Sequence, residues 1–362
     1  MASRIKVMIV DDSAVVRQTL SQILASDGQL EVVGAHSNPI FAMKAMELLW
    51  PDVLVLDVEM PQMDGITFLR SIMKSKPLPV IICSSLTTQG ASTTLEAMSA
   101  GAIEVISKPT SGLKDYLQQM APAMIAAVKT AAQVKMASVV HVSKTLNRPV
   151  KHLTTVAHDL QEQRQSTAMS ATTDQLIALG TSTGGTQALE YLLPRLPITA
   201  PGMLVVQHMP AAFTKAFAER LNTLSTVLIK EAEHNERILS GHVYIANGGL
   251  HLEIRRQGAF YYTVLRDGPL VSRHKPSVNV LFNSVAKYAG KNAMGILLTG
   301  MGDDGARGLL QLRESGAATI AQDEASSVVF GMPKEAIKIG AASEVLSLSQ
   351  ILDVIQKAVI SG

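Results

Sequence analysis

Short apolar runs recur along the first third of the chain, at Ile5–Val10, Val53–Leu56, Val80–Cys83 and Ile103–Ile106. Between them, stretches such as Val15–Leu24 and Phe41–Leu49 space their apolar residues as a helix does. This alternation predicts an α/β domain with a parallel sheet covered on both faces. Crossover connections then bring the C-terminal ends of the strands to one edge, where such folds bind ligands. Over residues 131–173 the apolar period lapses and Ser, Thr, Gln and His take over. That stretch reads as a linker, with a helical turn or two near Val156–Gln163. A second patterned block opens at Gln175–Leu179. Strand candidates follow at Met203–Val206, Val227–Lys230, Val243–Ala246, Met294–Leu298 and Ala318–Ala321. Leu250–Val264 alternates as an antiparallel hairpin turning near Gln257–Gly258. The expected organisation is a domain over 1–128, a linker over 129–173, and over 174–362 a second doubly wound, mostly parallel α/β domain with a β-hairpin insertion.

Composition narrows the function classes. A chain of 362 residues accommodates two domains. Its 32 Lys and Arg nearly balance 30 Asp and Glu, and no dense basic run or basic recognition helix appears, so nucleic acid is not an expected partner. The single cysteine, Cys83, rules out an intrachain disulfide and a Cys-based zinc site. The opening MASRIKVMIVDD does not read as a secretory signal, and no apolar run reaches the ~18–20 residues of a membrane span. A cytoplasmic protein without membrane insertion is expected. His141, His152 and His158 in the linker match no ligand spacing.

Asp11 and Asp12 follow the first strand and Asp57 the third, so three carboxylates converge on one sheet edge. Such a cluster needs a cation, and all-oxygen ligands favour Mg²⁺. Ser84 ends the fourth strand and Lys108 follows the fifth, with Pro109 fixing the chain after it. The set suits phosphoryl transfer to Asp57, with Mg²⁺, Lys108 and Ser84 stabilising charge on the equatorial oxygens. Convergence of five suitable residues argues against a mere collection of helix caps. VDDS at Val10–Ser13, LDVEMPQMDG at Leu56–Gly65, SS at Ser84–Ser85 and SKP at Ser107–Pro109 resemble the response-regulator receiver domain. The resemblance implies a flavodoxin-like, doubly wound parallel five-stranded sheet. It makes Asp57 the phosphoacceptor and Asp11, Asp12 and Asp57 the metal ligands, with Ser84 and Lys108 on the phosphoryl group. Val105 stands where many receivers carry an aromatic switch residue, which favours signalling through a domain interface.

In the second block, GTSTGG at Gly180–Gly185 follows a strand and precedes a helical stretch, Thr186–Leu193. A serine on such a turn is raised above the sheet edge, and the helix N-terminus offers free N–H groups. Ser182 is the candidate nucleophile; a phosphate-binding turn is the rival reading. His208, in VVQHMP after the next strand, is the candidate base, and GMGDDG at Gly300–Gly305 offers Asp303 and Asp304 as its orienting carboxylate. The order Ser, His, Asp differs from that of α/β-hydrolases, so Gly180–Gly184 does not imply that family. Backbone N–H groups near Met301, with help from Thr183, are oxyanion-hole candidates.

These motifs, with GHVYIA at Gly241–Ala246, HKPSVNVLF at His274–Phe282, LLTGMGDDGA at Leu297–Ala306 and FGMPKEA at Phe330–Ala336, resemble the catalytic domain of chemotaxis protein-glutamate methylesterases over roughly Ile177–Val359. The resemblance assigns Ser182, His208 and Asp304 as a triad and Met301 to the oxyanion hole. It implies hydrolysis of glutamate γ-methyl esters on the cytoplasmic helices of methyl-accepting chemoreceptors, with deamidation of particular glutamines and no cofactor for hydrolysis. It further implies phosphodonation by a chemotaxis histidine kinase to Asp57, a receiver that covers the active-site edge at rest, and a monomer. Asp303 stands where Asn is common in that family. Two other classes compete: a regulated binding protein without turnover, and a receiver-linked hydrolase of small esters. The remaining histidines, His234, His242, His251 and His274, read as scattered, and Cys83 as buried and inert.

Overall fold

The computed structural model describes residues 3–60, 64–84, 88–108, 113–136, 139 and 175–358. Contacts divide the chain into two units, Met1–Ser143 and Lys144–Gly362.

In the first unit, β1 (Ile5–Val10), α1 (Ala14–Ala25), β2 (Leu30–His36), α2 (Pro39–Leu48), β3 (Val53–Leu56), α3 (Gly65–Ser75), β4 (Val80–Ser84), α4 (Thr88–Ser99), β5 (Glu104–Ser107) and α5 (Leu113–Ala131) alternate in order. The five strands form a parallel sheet in the order β2-β1-β3-β4-β5. β3 and β4 are buried along their whole length, which is why each reads as an unbroken apolar run. β2 is an edge strand and only partly buried, so Leu30–His36 shows no such run. Local chemistry starts the helices: Ser13 Oγ accepts from Val16 N, Asn38 Oδ1 from Phe41 N and Asp64 Oδ1 from Thr67 N. The core packs Leu54, Leu56, Val80 and Ile82 against Ile66, Phe68, Leu69 and Ile72 of α3. α5 continues to Ala131, past the expected boundary at 128. The expected turn at Val156–Gln163 lies outside the described residues, as do Ser85 and Pro109.

The second unit begins with β6 (Leu176–Thr181), α6 (Gly185–Leu192), β7 (Gly202–Gln207), α7 (Ala211–Leu224), β8 (Leu228–Glu231) and β9 (His242–Ile245). The hairpin β10 (His251–Gln257) and β11 (Phe260–Arg266) follows, then α8 (Val278–Tyr288) and β12 (Ala293–Leu297). The unit closes with α9 (Ala306–Glu314), β13 (Ala318–Gln322), α10 (Met332–Lys338), β14 (Glu344–Leu346) and α11 (Leu348–Ala358). Seven parallel strands run in the order β14-β13-β12-β6-β7-β9-β8. The chain leaves β6 towards β7 on one side and later returns to add β12 on the other. The β12/β6 junction is therefore a topological switch point, a crevice outside the strand ends. The hairpin is a separate two-stranded antiparallel sheet. Its Leu252, Ile254 and Tyr261 share a core with Leu281, Phe282 and Val285 of α8. β14 has three residues, two of them exposed, too short and polar to register as an apolar run. No described helix is long and apolar enough to cross a membrane.

Candidate active site and acceptor pocket

The strand ends of the first unit gather the expected carboxylates. Asp11 and Asp57 are buried, Asp12 is exposed, and one oxygen of each lies within 4.8 Å of the others. Lys108 Nζ stands 2.5 Å from Asp57 Oδ2 and 3.1 Å from Asp11 Oδ2. Glu59 N donates to Asp57 Oδ1 (3.0 Å) and Ser13 N to Asp11 Oδ1 (2.9 Å), which fixes both carboxylates. Burial pushes the Asp57 pKa up to about 6 against the opposing pull of Lys108, and raises that of Asp11. Burial would lower the Lys108 pKa, but the Asp57 carboxylate outweighs it and the net direction is up. Asp11 Oδ2 is buried and has only the Lys108 ammonium as a partner. Three converging carboxylates, an all-oxygen set with one cationic side chain among them, fit a hard divalent cation such as Mg²⁺. Ser84, at the end of β4, is buried at the same edge. Val105, at the expected switch position, is half-buried and packs against the core. Cys83 is buried, and burial pushes its thiol up to about 12, as suits an inert residue.

In the second unit, β6 delivers Ser182 and β7 delivers His208. The two strands pair with Thr181 opposite Gln207, so serine and histidine are the next residues on neighbouring strands. His208 N donates to Thr181 O (3.1 Å), and Gln207 Nε2 donates to Ser182 O (3.0 Å). Gly184 caps α6 in the left-handed region (φ 80°), where a side chain is disfavoured, and lets the chain reverse sharply after the serine. Thr299 organises this turn. Its carbonyl accepts from Ser182 N (3.0 Å) and Thr181 Oγ1 (3.0 Å), its hydroxyl donates to Thr183 O (3.0 Å), and its N–H donates to Gln322 Oε1 (2.8 Å). Gly300 lies so close that a Cβ there would sit 2.8 Å from Ser182 Cβ, which brings the Gly300–Met301 backbone beside the serine. Met301 is exposed and Thr183 is buried.

His208 Nε2 lies 2.9 Å from Asp304 Oδ2. Of the two candidate carboxylates, Asp304 is buried on the histidine and Asp303 is exposed. Asp304 also accepts from Ser277 Oγ (2.8 Å), Val278 N (2.7 Å) and Asn279 N (3.1 Å), and so caps the N-terminus of α8 from a distant point in the chain. Burial works to raise its pKa. The bonds from His208, Ser277 and Val278 outweigh burial and hold it below the ordinary carboxylate range. An ionised Asp304 accepts the hydrogen bond of His208 Nε2–H, which leaves Nδ1 with the lone pair. Nδ1 is buried and makes no hydrogen bond, Ser182 included.

Reading the sequence by motif left three participants unassigned. Ser277 holds Asp304. His251 accepts from Ser277 N at Nδ1 (3.3 Å) and binds Pro269 O through Nε2 (2.9 Å). The His274 ring stacks on that of His208, centroids 3.8 Å apart and planes within 4°. The HKPSVN segment carried the hint for two of the three, but nothing in it tells which residue each side chain meets. His208, His274 and Asp304 also present atoms within 4.8 Å of one another. Parallel rings at that separation would leave a shared ion well out of both ring planes and away from the nitrogen lone pairs. Within the trio, His208 is hydrogen-bonded to Asp304 and stacked on His274, an arrangement that does not fit a metal centre.

Comparison with known proteins agrees with this division of labour. A family model described as CheB methylesterase matches residues 177–355, and one described as response regulator receiver domain matches residues 7–121. A protein-glutamate methylesterase/protein-glutamine glutaminase of Shewanella denitrificans is 55% identical over 344 residues, 95% of this chain and 97% of the relative. One from Pseudomonas savastanoi pv. phaseolicola is 55% identical over 352 residues, covering 96% and 97%. Among solved structures, the catalytic domain of Thermotoga maritima CheB methylesterase is 35% identical, with a TM-score of 0.50, and covers 51% of this chain and 98% of its own.

Proposed function

The chain belongs to the protein-glutamate methylesterase/protein-glutamine glutaminase family, and from that premise we propose that Ser182, His208 and Asp304 are the triad with which it hydrolyses glutamate γ-methyl esters on chemoreceptors under control of Asp57. It is a carboxylic ester hydrolase joined to a response-regulator receiver, with methyl ester hydrolysis and deamidation as its activities. The observation that supports the triad most directly is the 2.9 Å contact between His208 Nε2 and an Asp304 carboxylate that α8 holds ionised.

In the proposed reaction, His208 Nδ1 takes the Ser182 proton as Oγ forms a bond to the ester carbonyl carbon. Asp304 keeps the ring in this tautomer and stabilises its protonated form. Backbone N–H groups around Met301, aided by Thr183, receive the negative oxygen. The carbon–methoxy bond breaks, and methanol departs with the proton returned by His208. Water, deprotonated by the same nitrogen, then attacks the acyl-serine and releases glutamate and the free hydroxyl. For a glutamine the leaving group is ammonia and the steps are otherwise the same.

Asp57 is the proposed phosphoacceptor, supplied by the chemotaxis histidine kinase. Asp11, Asp12 and Asp57 would hold Mg²⁺, which supplies charge neutralisation for phosphoryl transfer. Lys108 then meets the phosphoryl oxygens in place of the carboxylates, and Ser84 offers its hydroxyl. The reaction takes place in the cytoplasm, where the receptor helices lie. Methanol release from methylated receptor membranes tests the assignment. Ser182→Ala is expected to reduce turnover by about 10⁶-fold, the order of loss when a nucleophile is removed from a triad. Asp57→Asn is expected to keep the basal rate and lose stimulation by a phosphodonor. Full activity of Ser182→Ala would refute the triad.

A further inference from the structure

The His274 ring lies face to face on His208, the base of the proposed triad, with centroids 3.8 Å apart and planes within 4°. It is not there by loose packing. Its Nδ1–H donates to Ser272 O (2.7 Å), and the turn that carries it is closed by Val271 N to His274 O (3.0 Å) and His274 N to Val271 O (2.9 Å). Ser272 and Arg273 both occupy the left-handed region (φ 48° and 68°), a conformation that non-glycine residues adopt only when surroundings impose it. Asn279 Nδ2 donates to Ser272 Oγ (3.1 Å), which ties this strained turn to the N-terminus of α8, the element that holds Asp304. Turn, stacked ring and carboxylate are thus built as one support around the His208 ring.

We infer that His274 is a positioning residue, whose ring face confines the His208 imidazole to the plane in which Nε2 stays on Asp304 and Nδ1 is left to serve Ser182. This rests on the triad proposed above. An imidazole hydrogen-bonded through a single nitrogen can still swing about its Cβ–Cγ bond, and Nδ1 of His208 has no partner to prevent it. A flat neighbour at van der Waals distance removes that rotation without taking up the lone pair. A neutral ring is needed, because a cation stacked there would repel the imidazolium that forms on His208. Burial first, and then the neighbouring His208, push the His274 pKa down to about 4, so the ring is neutral through the physiological range. A neutral aromatic face also attracts the transient positive charge of His208.

The test compares His274→Ala, which removes the face, with His274→Phe, which keeps a neutral face and removes both nitrogens. Each is made in the full chain, beside Ser182→Ala, with methanol release measured on methylated receptor membranes and unfolding followed in urea. His274→Ala is expected to lower kcat at least 10-fold with KM changed less than about threefold, and His274→Phe to restore kcat to within about fivefold of the parent. Wild-type kcat in His274→Ala overturns the inference. So does equal loss in both variants at unchanged stability, since the nitrogens rather than the face would then matter. Should His274→Ala unfold, His274→Gln supplies the faceless variant and is read in the same way. Loss of the triad reading itself shows separately, as activity remaining in Ser182→Ala.

Discussion

Asp57 sits in the native fold with its pKa raised from 3.8 to about 6, chiefly by burial. Because the folded state binds this proton more tightly than the unfolded chain, the group favours the fold below about pH 4. That advantage is lost as pH rises through 6. A shift of roughly two pKa units corresponds to about 3 kcal/mol. Asp57→Asn, with Lys108 still held by Asp11, is therefore expected to gain up to about 3 kcal/mol of stability relative to the parent between pH 4 and pH 7. Urea unfolding at a series of pH values, followed on the receiver, checks this. A stability difference independent of pH would show that Asp57 is not titrating there. Asp11, Asp12, Asp57, Ser84 and Lys108 were all legible in the sequence, because each ends or follows a strand and a parallel sheet sends such residues to one edge. The partner of His274 was not legible. A ring stack joins residues 66 positions apart by a turn whose backbone conformation no composition rule predicts.

At the scale of elements, the N-terminus of α8 is the support on which the second site rests. Its free N–H groups at Val278 and Asn279 and the Ser277 hydroxyl converge on Asp304, and the positive end of the helix favours the ionised carboxylate. Ser277→Ala removes one of these bonds and leaves the others. It is expected to cost about 1–2 kcal/mol of stability and to reduce kcat about tenfold, as the carboxylate loosens its hold on His208. Thermal unfolding and methanol release together check this, and an unchanged kcat would mean the backbone donors suffice alone. The strand–turn–helix signature around Ser182 and the hairpin turn at Gly258 were visible in the pattern of apolar residues. The edge strands β2 and β14 were not, since a strand exposed on one side or cut to three residues leaves no continuous run. Nor did the pattern reveal that the hairpin forms its own sheet rather than joining the parallel one, for pairing partners are chosen by packing and not by local alternation.

For the whole molecule, the two units each bury a core of their own and carry different chemistry. Mg²⁺ at the receiver's carboxylates is expected to stabilise only the first unit. At a hundredfold excess over its Kd the gain is about 2.7 kcal/mol, readable as a rise in the receiver's calorimetric transition with the hydrolase transition unmoved. Asp11→Asn should diminish that rise, and an equal shift of both transitions would place the ion elsewhere. By itself the sequence determined two α/β units, the residue types at their strand ends and the family to which those motifs belong, because strand periodicity and crossover connection are local rules. Tertiary structure decided which nitrogen of the His208 ring meets Asp304, which groups hold that carboxylate, and what lies on the face of the ring. Those outcomes depend on the distance and orientation of groups brought together from far along the chain, and only the packed sheet and helices set them.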